Sequence, residues 1–189
     1  EYRSRNKYEI VTYETASRQG EPFEMVISDN NMLPNSYARF CTRVLKQETA
    51  ERYLKDIGIN EYDKYLGIRY DEPKRWMKRV NIENEFLPLV KWRIGKKDIT
   101  EWWKIQQFDL NLQEPFGNCD CCFHKKPSKI KYIAKNYPEK MNWWINMEIQ
   151  YNKYFRNDGP MEKFLNSAHI QLDMFDNDID DMQCFCNID

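Results

Sequence analysis

Three of the six cysteines lie within four positions of one another, in the sequence FGNCDCCFH at residues 116–124. Cys119 and Cys122 form a C-x-x-C pair, which is the spacing at which two thiolates bind one metal ion or one iron–sulfur cluster. Such a pair needs at least one more thiolate, and the best candidate is Cys41, far upstream in the sequence RFCTR. We expect these three cysteines to bind a 4Fe-4S cluster, with one iron left open to bind substrate sulfur.

Two alternatives remain open for the same cysteines. Together with His124 they would provide a Cys3His set for zinc, which binds four such ligands tetrahedrally. They could otherwise be thiols that bind no metal. The six cysteines occur in clusters rather than spread among loops, so disulfides of a secreted protein fit the pattern less well than metal or redox chemistry in a reducing cytoplasm.

The sequence around Cys41 is rich in cations. Arg39, Arg43 and Lys46 flank this cysteine where a polar loop is followed by a predicted helix. Backbone N–H groups at the start of a helix bind anions, and arginine can donate two parallel hydrogen bonds to a phosphate or sulfate. We expect these three side chains to bind phosphate or sulfate groups of a substrate, and a solvated surface of ion pairs is the alternative.

A second group of charged residues follows a predicted strand at residues 62–70. Arg69, Asp71 and Arg75 lie at or just beyond the end of that strand. In an open α/β sheet, ligands bind outside the carboxyl ends of the strands. These residues are therefore predicted to contribute to a nucleotide site, again with a salt-bridged surface as the alternative.

The C-terminal residues 173–189 form an acidic tail that contains Cys184 and Cys186. A cysteine on a flexible tail can reach a distant site, where it would act as a nucleophile or as half of a redox pair. The alternative is a tail with incidental thiols. We expect residues 1–172 to form the folded domain.

Composition narrows the class of protein. Hydrophobic residues make up 41% of the 189 residues, enough for a folded core, and no apolar run is long enough to span a membrane. The net charge is −1, so the overall charge does not indicate a nucleic-acid or membrane partner.

The order of predicted elements favours an α/β fold. Residues 7–13 and 62–70 have the composition of strands, and residues 44–57 carry apolar side chains at helical spacing, with Gly58 as the predicted C-terminal cap. Strand, helix and strand in this order are typical of a parallel βαβ unit. Further helices are expected at residues 98–107, with Asp98 as N-cap, and at residues 129–136 and 138–155.

Several segments in the same order resemble the phosphoadenosine phosphosulfate reductase family. They are RFCTR at residues 39–43, GIRYDEPKR at 67–75, PLVKW at 88–92, KDI at 97–99 and GNCDCCF at 117–123. The resemblance covers roughly residues 7–148. It implies a doubly wound, mostly parallel sheet with a helical C-terminal part, bound to an adenine nucleotide.

The resemblance also implies an activity. Members of the family reduce adenylyl sulfates to sulfite, or use ATP and sulfur in related thiolation chemistry. The substrate would be an adenine sulfonucleotide or, in the second case, a nucleic-acid base, and a thiol reductant protein would be a partner. The reductases use a C-terminal cysteine as nucleophile, a role that would fall to Cys184 or Cys186 here.

The sequence departs from the family pattern in two places. In cluster-bearing members a cysteine pair precedes the distant C-x-x-C, and here Phe40 occupies the first position of that pair and Cys41 the second. This favours a cluster with three thiolates. The pyrophosphate loop expected before residue 7 is absent, so we expect an upstream segment or a partner chain to supply it. The alternative is a non-catalytic subunit of a phage or host assembly that retains the fold.

Overall fold

A computed structural model of the chain describes residues 1–109, 111–113, 115–117 and 119–167. The chain divides into two compact units. Unit 1 comprises Glu1–Tyr53 and the chain from Gln113 onward, and unit 2 comprises Leu54–Leu112. The predicted tail at residues 173–189, with Cys184 and Cys186, lies outside the described residues.

Unit 1 begins with a small hairpin and a helix. Strand β1 (Tyr2–Ser4) pairs antiparallel with β2 (Lys7–Tyr8), and helix α1 (Glu21–Asn30) follows. Proline in the first turn of α1 suits a position with no N–H partner, and Asn31 ends the helix in the left-handed region at φ 48°. The hairpin packs on α1 through the buried Tyr2.

The helix predicted at residues 44–57 is confirmed, although it is not uniform. It comprises a short α2 (Phe40–Thr42), a π-helical segment at Arg43–Glu48 and α3 (Thr49–Asp56). The hydroxyl of Thr49 donates to the carbonyl of Val44 at 2.8 Å, which supplies a partner to a carbonyl in the wide π-helical segment. Gly58 ends the helix at φ 81°, as predicted.

Four helical segments follow in the described part of unit 1. They are α7 (Pro127–Asn136), a 3-10 segment at Pro138–Met141, α8 (Asn142–Tyr151) and α9 (Glu162–Ser167). Both segments that begin with proline have it in the first turn, where the missing N–H is no loss. Their apolar faces meet in one core whose fully buried members include Ile130, Ile133, Met141, Phe155, Met161 and Phe164.

Unit 2 is built from short elements. Strand β3 (Lys64–Tyr65) pairs parallel with β4 (Glu85–Phe86), and the helices are α4 (Pro73–Trp76), α5 (Pro88–Lys91) and α6 (Lys96–Lys104). Asp98 is not the N-cap of α6 but its third residue. Its carboxylate accepts the backbone N–H of Gly95, the true N-cap, at 2.8 Å.

The prediction of a doubly wound, mostly parallel sheet is wrong. The described residues form two sheets of two strands each, and no strand among them exceeds three residues. A parallel sheet needs strands that are buried on both faces. Ile10 and Tyr13 of the first predicted strand are 74% and 81% exposed, so that segment has no buried face with which to join a sheet.

The helices of the described ranges include none that is long and apolar enough to cross a membrane.

Candidate functional site

The cysteine-rich segment of unit 1 forms two consecutive turns. The backbone N–H of Cys122 donates to the carbonyl of Cys119 at 3.2 Å, and the N–H of Lys125 donates to the carbonyl of Cys122 at 2.8 Å. Helix α7 begins two residues later, at Pro127. We call residues 119–125 the cysteine turn.

The three cysteines of this turn differ in exposure. Cys119 is exposed, Cys122 is 7% exposed and Cys121 is fully buried. The Cys121 sulfur lies 3.2 Å from the sulfur of Met141, and burial raises the pKa of its thiol to about 12. Cys121 therefore behaves as a small core residue, whereas Cys119 is open to reactants and Cys122 is largely covered.

Arg156 binds the backbone of the cysteine turn. Its Nη1 donates to the carbonyls of Phe123 and Lys125, each at 2.8 Å. Its Nε and Nη2 donate to the two carboxylate oxygens of Asp158 at 2.8 and 3.0 Å, and this hydrogen bonding lowers the pKa of Asp158. Because one guanidinium joins two carbonyls and a carboxylate, the turn is fixed relative to the loop that follows α8.

That loop is held in turn by a buried carboxylate. Glu148, on α8, accepts the backbone N–H of Phe155 at 3.0 Å and that of Met161 at 2.7 Å. Burial raises the pKa of Glu148, while these two N–H donors act in the opposite direction. Glu148 thus fixes both sides of the segment that carries Arg156.

Two further polar side chains of the turn are buried or partly buried. Lys125 is 6% exposed, and its ammonium group donates to the carbonyl of Pro115 at 2.7 Å. The Nε2 atom of His124 is buried and has no hydrogen-bond partner among the described residues. Burial, followed by the positive charges of Arg39 and Arg156, lowers the pKa of His124. Arg39 and Arg156 therefore lie close enough for their charges to act on His124.

The predicted residues around Cys41 belong to the same unit. Cys41 is partly buried and packs against the core that contains Cys121 and Phe123. Arg39 precedes α2, and its charge acts on His124, so RFCTR and the cysteine turn do lie in the same region, as predicted.

The other two cations near Cys41 have different surroundings. Arg43 forms an ion pair with Glu48, one turn further along the same helical segment. Lys46 is exposed. Nothing in the structure tests whether Arg39, Arg43 and Lys46 bind phosphate or sulfate, and this stays a prediction.

The predicted ligands are chemically suited to a metal, but the structure does not bring enough of them together among the described residues. Cysteine thiolates and an imidazole are suitable ligands for an iron–sulfur cluster or for zinc. Within the part of the chain that the structure describes, however, no group of three or more His, Cys, Asp and Glu side chains could hold a metal ion. The predicted set of Cys41, Cys119 and Cys122 therefore stays a prediction.

The second predicted group lies in unit 2 and forms an internal network of ion pairs. Glu72 is 4% exposed and accepts Arg75 Nη1 at 2.6 Å and the backbone N–H of Arg69 at 2.9 Å. Asp71 accepts Arg69 Nε at 2.8 Å and the backbone N–H of Lys96 at 3.0 Å. Burial alone would raise the pKa of Asp71, but these two donors lower it.

This network joins the chain after β3 to the start of α6. Arg69, Asp71 and Arg75 were predicted to bind a nucleotide; the structure shows that all three make contacts within unit 2 and leaves the nucleotide role untested. Sequence reasoning also missed Lys125, Glu148 and Arg156. Lys125 belongs to the basic run that follows the cysteines and could have been found from it, whereas no local pattern identifies Glu148 or Arg156.

Comparison with known proteins gives one partial match. A stretch of 98 residues is 39% identical to the uncharacterised nin region protein ORF290 of Escherichia phage lambda. The stretch is 51% of this chain but 33% of that relative, so the chain spans about a third of the relative's length. No family model matches the chain. No solved structure matches it either.

Proposed function

We propose that this chain carries out sulfur chemistry on an adenine nucleotide, in the manner of phosphoadenylyl-sulfate reductases or of ATP-dependent sulfurtransferases. The observation that carries the proposal is the cysteine turn. An exposed thiol, Cys119, stands on a turn that is held by hydrogen bonds, and the charges of Arg39 and Arg156 act on His124 of the same turn. Thiols beside cations suit a sulfur-containing anion, because the thiolate is the reactive form and the cations attract the substrate.

The roles proposed for individual residues follow the family resemblance. Arg39, Arg43 and Lys46 would bind phosphate or sulfate groups, and the thiol of Cys184 or Cys186 would be the nucleophile. A thiol reductant protein would restore the cysteines after each turnover. We propose a cytoplasmic location, because reactive thiols persist in a reducing compartment.

The cofactor is part of the same proposal. A cluster or a zinc ion at Cys41, Cys119 and Cys122 would supply an open iron or a structural clamp, respectively. The measurement is the iron, acid-labile sulfide and zinc content per chain after anaerobic purification. A Cys41→Ala variant that retains the full metal content would remove Cys41 from the ligand set.

The central experiment measures binding of adenylyl sulfate and phosphoadenylyl sulfate to the intact gene product by equilibrium dialysis, with ATP for comparison. We expect saturable binding that weakens about 10- to 100-fold in Arg39→Ala, since a hydrogen bond to a charged group is worth about 1.5–3 kcal/mol. Arg18→Ala, which removes an exposed arginine elsewhere in unit 1, is the matched control and should bind normally. No saturable binding at millimolar ligand would overturn the proposal.

A non-catalytic subunit of a phage assembly is the second candidate, and unit 2 supports it. Ile68 is the only buried hydrophobic residue in the described part of residues 54–112. Large apolar side chains of this unit are exposed instead, among them Tyr65, Met77, Phe86, Trp92, Trp102 and Phe108. The rings of Tyr65 and Phe86 stack with their centroids 5.2 Å apart, so part of this exposed apolar surface is contiguous, and contiguous exposed apolar patches are typical of interaction sites.

The two candidates predict different states of the protein in phage-infected cells. A subunit would sediment as part of a larger particle, and Trp102→Glu, which places a charge on the exposed surface, would release it. An enzyme would turn over adenylyl sulfate whether or not it is assembled. A chain that sediments alone and binds no nucleotide would contradict both candidates.

A further inference from the structure

We infer that Cys119 and Cys122 form a reversible dithiol–disulfide couple, in which Cys119 attacks a partner disulfide and Cys122 resolves the mixed disulfide. The inference does not depend on the proposed function, and it is the alternative to metal binding by these same two thiols. It rests on the geometry of the cysteine turn and on the different exposure of its thiols.

The turn brings the two residues close enough for a bond. A hydrogen bond from residue i+3 to residue i closes a turn whose end Cα atoms are less than about 7 Å apart. The N–H of Cys122 donates to the carbonyl of Cys119 in this way, at 3.2 Å. Disulfides join Cα atoms about 4.4–6.8 Å apart, so the bond needs little backbone movement.

The exposure of the two thiols suits them to different steps. Cys119 is exposed, so a partner disulfide can reach it. Cys122 is 7% exposed, so a bulky partner reaches it poorly, whereas the neighbouring sulfur of Cys119 can. An accessible attacking thiol followed by a protected resolving thiol is the arrangement that thiol–disulfide exchange requires.

Cys121 does not belong to the couple. Its side chain is fully buried and its sulfur contacts that of Met141 at 3.2 Å, inside the core of unit 1. A bond from Cys121 to either neighbour would require the side chain to leave the core.

Neighbouring contacts keep the turn in one conformation. Asp120, inside the turn, forms an ion pair with Lys140 at 2.8 Å. Arg156 binds the carbonyls of Phe123 and Lys125 on the other side of the pair. Since the chain is restrained within the pair and just after it, closing the disulfide costs little conformational entropy.

The reaction balances with a disulfide as oxidant. The Cys119 thiolate attacks one sulfur of a disulfide RS–SR′, which forms a mixed disulfide and releases one thiol. The Cys122 thiolate then attacks the Cys119 sulfur, forms the Cys119–Cys122 bond and releases the second thiol. Two electrons and two protons pass from the cysteine pair to the partner disulfide.

The test uses the full chain and oxidised glutathione as the partner disulfide. After reduction and removal of the reductant, the protein is equilibrated in glutathione buffers of increasing oxidised fraction, unfolded and alkylated. Trypsin then releases residues 105–125, a peptide with Cys119, Cys121 and Cys122 and no other cysteine. We expect this peptide to lose two alkylation sites together as the buffer becomes oxidising.

Variants identify the bonded pair within this one peptide. Cys121→Ala should keep the couple and leave no alkylated cysteine in the oxidised peptide. Cys122→Ser should accumulate one glutathione on Cys119, since the resolving thiol is absent, and Cys119→Ser should form no internal bond. The inference would be overturned if Cys121→Ala lost the couple. It would also be overturned if the Cys119–Cys122 pair stayed reduced in oxidised glutathione because it holds iron or zinc.

Discussion

The Oε2 atom of Glu148 accepts the backbone N–H of Met161 at 2.7 Å, and its Oε1 atom accepts that of Phe155 at 3.0 Å. Both donors are buried, and Glu148 itself is 4% exposed. Through these bonds a residue of α8 decides where the segment with Arg156 lies. Since Arg156 in turn holds the cysteine turn, the position of the candidate site depends on a carboxylate that belongs to the core.

Replacing Glu148 tests this dependence. We expect Glu148→Ala to lower the free energy of unfolding, because it leaves two buried N–H groups without acceptors at about 1–3 kcal/mol each. Glu148→Gln should lower it less, since one oxygen remains. Urea unfolding followed by circular dichroism measures both, with the exposed Glu162→Gln as control. Equal stability of Glu148→Ala and the wild type would show that the loop is held by other contacts.

Removing Arg156 should expose the cysteine turn. We expect Arg156→Gln to raise the alkylation rate of Cys122 about tenfold or more, because two hydrogen bonds to backbone carbonyls that favour the closed turn are lost. Pulsed labelling with iodoacetamide and mass analysis of the peptide at residues 105–125 gives the rate. Arg18→Gln is the control. An unchanged rate would mean that Arg156 does not restrain the turn.

Cys121 should tolerate alanine better than serine. A serine hydroxyl would be fully buried, and its nearest acceptor would be the thioether sulfur of Met141, which accepts weakly and lies 3.2 Å from the Cys121 sulfur. The carbonyl of Lys140 lies 3.8 Å from the Cys121 sulfur, beyond the length of an ordinary hydroxyl hydrogen bond. We expect Cys121→Ser to lower the free energy of unfolding by about 1–3 kcal/mol, and Cys121→Ala to lower it less. Thermal unfolding compares the two, and the reverse order would show that Cys121 is not enclosed by the core.

Asp71 should make the stability of unit 2 sensitive to acid. Its pKa is lower in the folded chain than the ordinary value of 3.8. Ionised Asp71 therefore stabilises the fold above pH 3.8, and this contribution is lost as the pH falls through the lowered pKa. We expect the wild type to melt above Asp71→Asn at neutral pH and the difference to shrink in acid.

The measurement is the melting temperature of the wild type and of Asp71→Asn from neutral pH to below pH 3.8. Asp63→Asn, at an exposed position of the same unit, serves as the control. A difference that grows as the pH falls would contradict the assignment of Asp71 to this network.

Local signals were sufficient to predict several helices. The helix at residues 44–57 has apolar side chains at helical spacing and a glycine at its end, and both features act within a few residues. Asp98 was predicted correctly to lie near the start of a helix, but it is the third helical residue and not the N-cap. The sequence does not separate the two roles, because an aspartate at either position accepts backbone N–H groups of the helix start.

The sheet could not be predicted in this way. Alternation at residues 7–13 indicates that a strand is acceptable there, but pairing and burial depend on segments far away in the sequence. In the structure β2 ends at Tyr8, and Tyr65 of β3 stacks on Phe86 of β4 while both rings remain exposed. A parallel pair of two residues does not extend into a doubly wound sheet.

The sequence by itself determined the chemistry that is available. It has a C-x-x-C pair with a further thiol, Cys121, between the two cysteines, and it has cations beside Cys41. These are properties of residue types and short spacings, which folding does not alter. Only the tertiary structure decided which thiol is exposed, which is buried against Met141, and that Arg156 and Glu148 hold the turn. Burial and long-range hydrogen bonds depend on how distant segments pack, and no short pattern in the sequence encodes them.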